Sequence, residues 1–231
     1  MWSAGPGIDL LSQPAVAVRA YVESRFLVNA NADIAFAYPG FEAAVPPDSL
    51  TGPTSTQQRR TFSPSPAPHP IVGTQRYHLL RTVSNPPNRQ TTAIVCDYSS
   101  YTSAYDFGDG NFGYPNTEPV DPVDGVRVLW IALQQVPGGT ELPPQAGPAR
   151  SPKTDVFDGW HIVGLLTSHA GTGKLDYPDE WPTQIADGQL CSDAAPDPPD
   201  RRRFLRAGVH PRSDYPTLPP YPGWPDTNLI G

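Results

Sequence analysis

The first regular pattern in the chain has a helical period. In the run AVAVRAYVESRFLVNA, apolar and long side chains recur three and four positions apart, which places them on one face of an α-helix. The positions on this face are Val18, Tyr21, Val22, Arg25, Phe26 and Asn29. Ser12 is placed to cap the start of this helix, and Pro14 fits its first turn. A shorter helical piece is predicted after it, with Asp33 as its cap and the Pro-Gly pair at 39–40 as its end.

Further along, the pattern changes to that of β-strands. Four strands are predicted, over residues 74–83, 91–101, 126–133 and 159–166. The connector SNPPNRQ between the first two is rich in turn residues, so these two strands are predicted to form a β-hairpin. In the second strand, Ile94 and Cys96 share one face with Tyr98. Val95 shares the opposite face with Asp97.

Irregular segments separate these elements. Proline-rich stretches occupy residues 46–70 and 137–153, and a glycine- and acid-rich loop occupies residues 106–125. The predicted fold class is α+β: an N-terminal helix packed against a curved antiparallel sheet of about four strands, in one domain over residues 1–170. Residues 171–231 are predicted to form an irregular tail that packs on this domain or on a partner.

Composition and charge narrow the possible functions. The 31 prolines and 20 glycines among 231 residues limit helix content. The net charge is −7, which argues against a nucleic-acid-binding surface, and the basic run at 201–206 balances the acidic stretch before it. No apolar stretch is long enough to span a membrane. The first 20 residues lack a signal-peptide pattern, so Met1 either follows a removed leader or is a cytoplasmic start.

The two cysteines bear on the compartment. Cys96 lies in a strand pattern and Cys191 in a polar segment, 95 residues apart. In an exported protein, a disulfide that ties the late segment to the core is favoured over one buried and one exposed thiol. The expected localisation is therefore exported or cell-envelope associated if a leader was removed, and cytoplasmic otherwise.

Three segments carry a family resemblance. The helix VRAYVESRFLVNANAD, the aromatic turn FAYPGF and the strand opening DGWHIVG, with Asp158, Gly159 and Trp160, resemble the nuclear transport factor 2-like (cystatin-like cone) superfamily. The composition, with only two lysines among its 16 basic residues, is similar to that of exported actinobacterial proteins that resemble this fold. The resemblance implies a bent sheet over helices, and some members are isomerases or dehydratases with acidic, His and Tyr side chains in the cone.

The candidate acid–base residues follow from strand position. A carboxylate or imidazole between apolar walls has a pKa shifted toward neutrality, which suits proton transfer. The leading candidates are Asp97, Tyr98 and His78, followed by His161 and Asp33. The competing interpretation is that Asp97 ends the regular strand and faces water or caps a loop. For His161, the competing interpretation is a solvated or structural side chain.

Other motifs do not predict chemistry. The run AGTGK resembles a phosphate-binding loop, but Ser168 replaces the required glycine and Leu175 replaces the serine or threonine after the lysine. The triplet DFG at 106–108 lacks the other kinase motifs, and DFGDGN lacks the ligand spacing of a calcium loop. No spacing typical of zinc ligands is present, so no metal or cofactor is predicted.

The aromatic residues of the tail suggest contacts with a partner. These candidates are Trp181, Tyr215, Tyr221 and Trp224, which alternate with prolines that keep the chain extended. The leading hypothesis is a non-enzymatic binding or assembly protein of the cell envelope or of an exported complex, with a protein partner and a possible homo-oligomeric or larger assembly. The alternatives are an isomerase- or dehydratase-like enzyme with a cone pocket, and a structural subunit of a larger particle.

Overall fold

The chain forms a mixed α+β fold with two sheets. The structure is a computed structural model that describes residues 1–114, 125–139 and 142–226. The strands are β1 (Trp2–Ala4), β2 (Ile71–Gly73), β3 (Tyr77–Asn85), β4 (Gln90–Asp97), β5 (Ser103–Asp106), β6 (Phe112–Gly113), β7 (Arg127–Gln135) and β8 (Trp160–His169). The helices are α1 (Ala15–Asn31), α2 (Phe41–Ala44), α3 (Ser99–Thr102), α4 (Gln184–Asp193) and α5 (Pro199–Arg206). The predicted loop at 106–125, the stretch at 137–153 and the tail extend partly outside the described residues.

The main sheet has five strands in the order β1-β3-β4-β7-β8. β1 is parallel to β3, and the other neighbours are antiparallel. The predicted hairpin is present as β3 and β4, joined through the short 3₁₀ turn Pro86–Asn88. The four predicted strands correspond to β3, β4, β7 and β8. The second sheet, in the order β2-β5-β6, and strand β1 were not predicted, because strands of two to four residues are too short to show a period.

The main sheet is covered on both faces. α1 packs on one face, against alternate strand residues such as Val95, Leu129 and Leu165. The other face, which carries Ile94 and Cys96, packs against Trp181 and against α4. The alternation predicted for β4 therefore divides the residues of that strand between two cores.

The start of α1 differs from the prediction. Its N-cap is Pro14, with no side-chain cap, so the predicted capping role of Ser12 was wrong. Instead, the side chain of Gln13 caps the start of the helix, since its Oε1 accepts from the Ala17 amide at 3.1 Å. Its Nε2 donates to the Val156 carbonyl at 2.9 Å. Asp33 caps the 3₁₀ turn that follows α1, since its Oδ1 accepts from the Ala35 amide at 2.9 Å.

Within residues 171–231, which were predicted to form an irregular tail packed on the domain or on a partner, residues 184–193 and 199–206 instead form the helices α4 and α5. A disulfide between Cys96 and Cys191 joins β4 to α4, with the two Cα atoms 5.3 Å apart. On the same helix, the buried carboxylate of Asp187 accepts two hydrogen bonds from Arg81 of β3, at 2.9 and 3.0 Å. α4 is thus held to the sheet by a covalent bond and an ion pair rather than by a continuous apolar stripe.

Three of the four aromatic residues expected to contact a partner are core residues instead. Trp181 and Tyr215 are buried in the cluster around α4, and Trp224 is buried beside α1. Their large apolar surfaces are covered by the protein's own sheet and helices. Tyr221 alone of the four is well exposed, at 61%.

A buried group of polar side chains joins α1 to both ends of the described chain. This α1 polar cluster consists of Arg19, Glu23, Trp2, Tyr38 and Trp224. The Arg19 guanidinium lies 4.2 Å from the Trp224 ring centroid and donates to three backbone carbonyls, the farthest along the chain being that of residue 223 at 2.5 Å. The Glu23 carboxylate accepts from Trp2 at 2.6 Å, from Trp224 at 2.9 Å and from Tyr38 at 2.8 Å.

The first proline-rich stretch packs against β8 and α1. Its 3₁₀ turn Thr54–Gln57 packs on β8, where a Cβ added to Gly164 would lie 3.1 Å from the Cβ of Ser55. Residues 61–70, called the strap below, cross from this turn to β2. The Ser63 amide donates to Asn29 Oδ1 at 2.8 Å, and the Ala67 amide donates to the Ala30 carbonyl at 2.8 Å. The strap is therefore attached along the last turns of α1.

Candidate functional site

A cavity of about 600 Å³ lies between the end of α1, the main sheet and the strap. Val22 and Phe26 of α1 and Leu129 of β7 give it apolar walls. Ile71 of β2 and Tyr105 of β5 bring the second sheet to the same cavity. The cavity is thus enclosed by parts of the chain that are distant in sequence.

A row of polar side chains crosses the sheet inside this cavity. The strand register pairs Tyr77 with Asp97, Asp97 with Arg127, and Arg127 with His169. Directly opposed residues on neighbouring strands point to the same face of a sheet. All four residues accordingly line the cavity, and they are called the polar row below. On β1 the row continues with Trp2, whose ring centroid is 4.9 Å from that of Tyr77.

The centre of the polar row is an ion pair. Asp97 Oδ2 accepts from Arg127 Nε at 3.0 Å and from Nη2 at 2.5 Å, while Asp97 Oδ1 accepts from the Ser99 amide at 2.9 Å. The Asp97 side chain is only 2% exposed, whereas half of the Arg127 side chain is exposed. The carboxylate raises the pKa of Arg127 above its usual value, so this guanidinium stays charged. Both carboxylate oxygens have donors, which makes Asp97 an anchor for Arg127 rather than an available base.

The two ends of the polar row are neutral at neutral pH. Burial, followed by the charge of Asp97, raises the pKa of Tyr77 well above 10, so its phenol remains protonated. Burial, followed by the charges of Arg127 and Arg206, lowers the pKa of His169 below its usual 6.5. His169 is only partly buried: part of its surface stays exposed where it lines the cavity. It is therefore a neutral donor and acceptor beside the charged centre of the row.

Arg206 of α5 lines the same end of the cavity. Its guanidinium lies 5.5 Å from the ring centroid of Tyr114, and its Nε is buried without a hydrogen-bond partner in the described part of the chain. Its Cδ packs on Gly125, where an added Cβ would lie only 2.5 Å away. Gly125 also has a φ of +63°, which disfavours other residues, so glycine is required there for two independent reasons.

Arg25 of α1 lines the opposite wall and is used for structure. Its guanidinium donates to the carbonyls of Gln58, Arg59 and Thr61, at 3.1, 2.9 and 3.2 Å. It also lies 5.4 Å from the ring centroid of Phe62. Arg25 thereby holds the start of the strap against α1 and keeps its positive charge at the cavity wall.

The structure does not bring the sequence-predicted catalytic candidates together. Asp97 lines the cavity, whereas Tyr98 lies on the other face of the sheet, where its hydroxyl donates to the Cys191 carbonyl at 3.0 Å. His78 is also outside the cavity, with Nδ1 2.9 Å from the hydroxyl of Ser3. Strand alternation accounts for this separation, because neighbours along a strand point to opposite faces. His161 lies at the far end of β8, and Asp33 is a turn cap.

The residues that sequence reasoning missed are Tyr77, Arg127, His169 and Arg206. Arg127 opens an apolar strand and His169 closes one, so each resembles an ordinary polar strand end. A charged residue at each end of otherwise apolar strands was the available signal. Whether such charged residues lie next to each other depends on the order of the strands in the sheet, and the pattern of a single strand does not show that order.

The described residues contain neither a group of metal-binding side chains nor a membrane-spanning helix. Among residues 1–114, 125–139 and 142–226, no three His, Cys, Asp or Glu side chains are grouped closely enough to hold a metal ion. In the same residues, no helix has both the length and the apolar character needed to cross a membrane. Comparison of the chain with protein-family models, with curated proteins and with solved structures gave no match.

Proposed function

We propose that this protein is an exported or cell-envelope binding protein that holds a small molecule in the cavity between α1, the main sheet and the strap. The observation that carries this proposal is the combination of apolar walls with the polar row. Ligand sites are typically concave, of about 300–1,000 Å³, and mostly apolar, with a few converging polar groups. At about 600 Å³, the cavity has the size of such a site, and its lining combines apolar walls with a larger share of polar side chains than is typical.

Two features favour binding over catalysis. The leading acid–base candidates Asp97, Tyr98 and His78 lie on different faces of the sheet. The Asp97 carboxylate is also occupied by donors on both oxygens. Trp181, Tyr215 and Trp224, which were candidate contacts for a protein partner, are buried, and their burial favours a small ligand over a protein partner.

The disulfide supports the proposed compartment. Cys96 and Cys191 are both buried and bonded to each other, and disulfides persist mainly in oxidising compartments. The nuclear transport factor 2-like relationship also remains a proposal. It is supported by the order of a long first helix, a hairpin and two later strands that together enclose a cavity.

A second candidate function is proton transfer by an isomerase- or dehydratase-like enzyme, with His169 as the base. The observation in its favour is the partly exposed imidazole beside Arg127, with a pKa lowered below 6.5. A neutral imidazole can accept a proton at neutral pH, and a nearby guanidinium would stabilise the anion that forms. Binding of a ligand without turnover, in wild type and in His169→Gln alike, would separate the two functions in favour of binding.

The proposal is tested by filling the cavity. The probe is 1-N-phenylnaphthylamine, a neutral dye whose fluorescence rises in apolar surroundings. Wild type should show a saturable rise with one dye per chain. Ala30→Trp places an indole in the cavity from α1 and should abolish that rise. Ala43→Trp, at an exposed position of α2 outside the cavity, is the matched control and should bind as wild type does. Equal binding by both variants would refute the cavity as the site.

A further inference from the structure

We propose that the ligand of this cavity is an organic anion, whose carboxylate or phosphate head contacts Arg206 and Arg127 and whose apolar body contacts α1 and β7. This inference rests on the proposed function, since it names the chemical class of the ligand for that same site. Four observations support it: the charge of the lining, the state of the two arginines, the polar groups around them, and the apolar walls.

The charge of the cavity is opposite to that of the protein. The chain has a net charge of −7, yet the charged residues that line the cavity in the described part of the chain are three arginines and one aspartate. These are Arg25, Arg127, Arg206 and Asp97. With His169 neutral, the lining carries an excess of two positive charges. Charges of one sign in a cleft with apolar walls concentrate ligands of the opposite sign.

Arg206 has one buried donor, Nε, without an acceptor among the described residues. Its Nε is removed from solvent without a hydrogen-bond partner, and the described residues contain no carboxylate paired with it. An unsatisfied buried donor costs about 1–3 kcal/mol, and more when the group is charged. The Nε atoms of Arg19 and Arg59 are also buried without a hydrogen-bond partner, but that of Arg206 belongs to a residue at the cavity wall, where a bound anion can accept from it.

Arg127 is oriented but not saturated. Two of its five N–H donors, on Nε and Nη2, are used by Asp97. Half of its side-chain surface remains exposed, and the ion pair fixes the plane of the guanidinium. A planar guanidinium held in this way is suited to a planar carboxylate or a phosphate, which it binds through two parallel hydrogen bonds.

Polar side chains surround the proposed head-group position. The Ser100 hydroxyl donates to the Gly125 carbonyl at 2.5 Å, so Ser100 and Arg206 both lie against Gly125. Ser99 and Ser103 line the same cavity. The single hydrogens of the Ser100 and Ser103 hydroxyls are already donated to the carbonyls of Gly125 and Ser99, so the donors left for an anion are those of the guanidinium groups. The α3–α5 end of the cavity is thus its polar end.

The other walls accept an apolar body. Val22, Phe26 and Leu129 are aliphatic or aromatic, and Tyr77 presents a ring beside them. A bicyclic aromatic ring is within the size that a cavity of about 600 Å³ accommodates. The apolar body fixes the ligand's position, and the head group supplies the charge recognition.

The test compares ligands of equal shape and different charge. Binding of 2-naphthoate, 2-naphthamide and 2-naphthyl phosphate to the full chain is measured by isothermal titration calorimetry. Either anion should bind at least about tenfold more tightly than the amide, because charge-assisted hydrogen bonds replace neutral ones. The ratio between the two anions identifies the preferred head group. Equal or tighter binding of the amide would overturn the inference and leave the proposed function standing. Failure of all three to bind would count against both.

A matched pair of variants locates the head group. Arg206→Gln should weaken binding of the better anion by at least about tenfold and leave amide binding unchanged. Arg203→Gln removes an exposed arginine of the same helix, which pairs with Asp200 outside the cavity, and should change neither. Arg206→Lys keeps the charge and should retain intermediate affinity. Circular dichroism melting confirms that each variant is folded. An Arg206→Gln variant that binds the anion as wild type does would overturn the assignment.

Discussion

Removal of the disulfide between Cys96 and Cys191 should cost a large part of the protein's stability. The bond joins residues 95 positions apart, and the entropy lost by closing a loop of about that length in the unfolded chain corresponds to roughly 4.7 kcal/mol. Measured values for native disulfides are commonly 2–5 kcal/mol. In this structure the ion pair between Asp187 and Arg81 also holds α4 to β3. We therefore expect Cys96→Ala/Cys191→Ala to lower the free energy of unfolding by about 2–5 kcal/mol.

Urea unfolding followed by tryptophan fluorescence measures this change, because Trp181 is buried beside α4. The variant should unfold at lower urea with an equal or larger dependence on urea concentration, since its unfolded chain is less constrained. Reduced wild type is the control and should match the variant, which excludes an effect of the alanines themselves. A loss below about 1 kcal/mol would refute the reasoning, because it would mean that the noncovalent contacts of α4 suffice.

Three further predictions concern the carboxylate on α4, the imidazole in the cavity and the glycine behind Arg206. Asp187→Ala leaves buried donors without an acceptor and should cost about 2–4 kcal/mol in urea unfolding, whereas Asp193→Ala, at an exposed position of the same helix, should cost little. The pKa of His169 is lowered in the folded state, so the unfolded state binds more protons as the pH falls through 6.5. The free energy of unfolding should therefore decrease as the pH falls through this range, and it should decrease less in His169→Gln. The melting temperature, measured from pH 7.5 to 5, tests this. Gly125→Ala should displace Arg206 and weaken calorimetric binding of 2-naphthoate more than that of 2-naphthamide; an unchanged affinity ratio would argue against the described packing.

Sequence patterns predicted the elements that are long enough to show a regular spacing of apolar residues. The helical period of residues 15–30 and the alternation in the strand around Val95 both correspond to elements of the structure. Helix α4 was missed because QIADGQLCSD contains a central glycine and several polar residues. Its position depends on Cys191 and Asp187, whose partners lie on other elements and are not visible in a local pattern.

The candidate site was predictable only at one residue. Alternation placed Asp97 on the face with Val95, where the structure has it. The rest of the polar row requires the strand order and the exact register, because a shift of one residue moves a side chain to the other face. Predicting Arg206 as a cavity residue would also require the packing of the last third of the chain, because this packing brings α5 to the cavity.

The α1 polar cluster has a consequence for how the chain folds. Arg19 and Glu23 lie near the start of the sequence, but they bond to residues more than 200 positions later. Contacts of such long sequence separation slow folding, because the loop between them must close before they contribute. During synthesis, Arg19 and Glu23 cannot form their hydrogen bonds to Gly223 and Trp224 until those residues have been added to the chain. The chain should therefore stay incompletely folded until residue 224 has emerged from the ribosome.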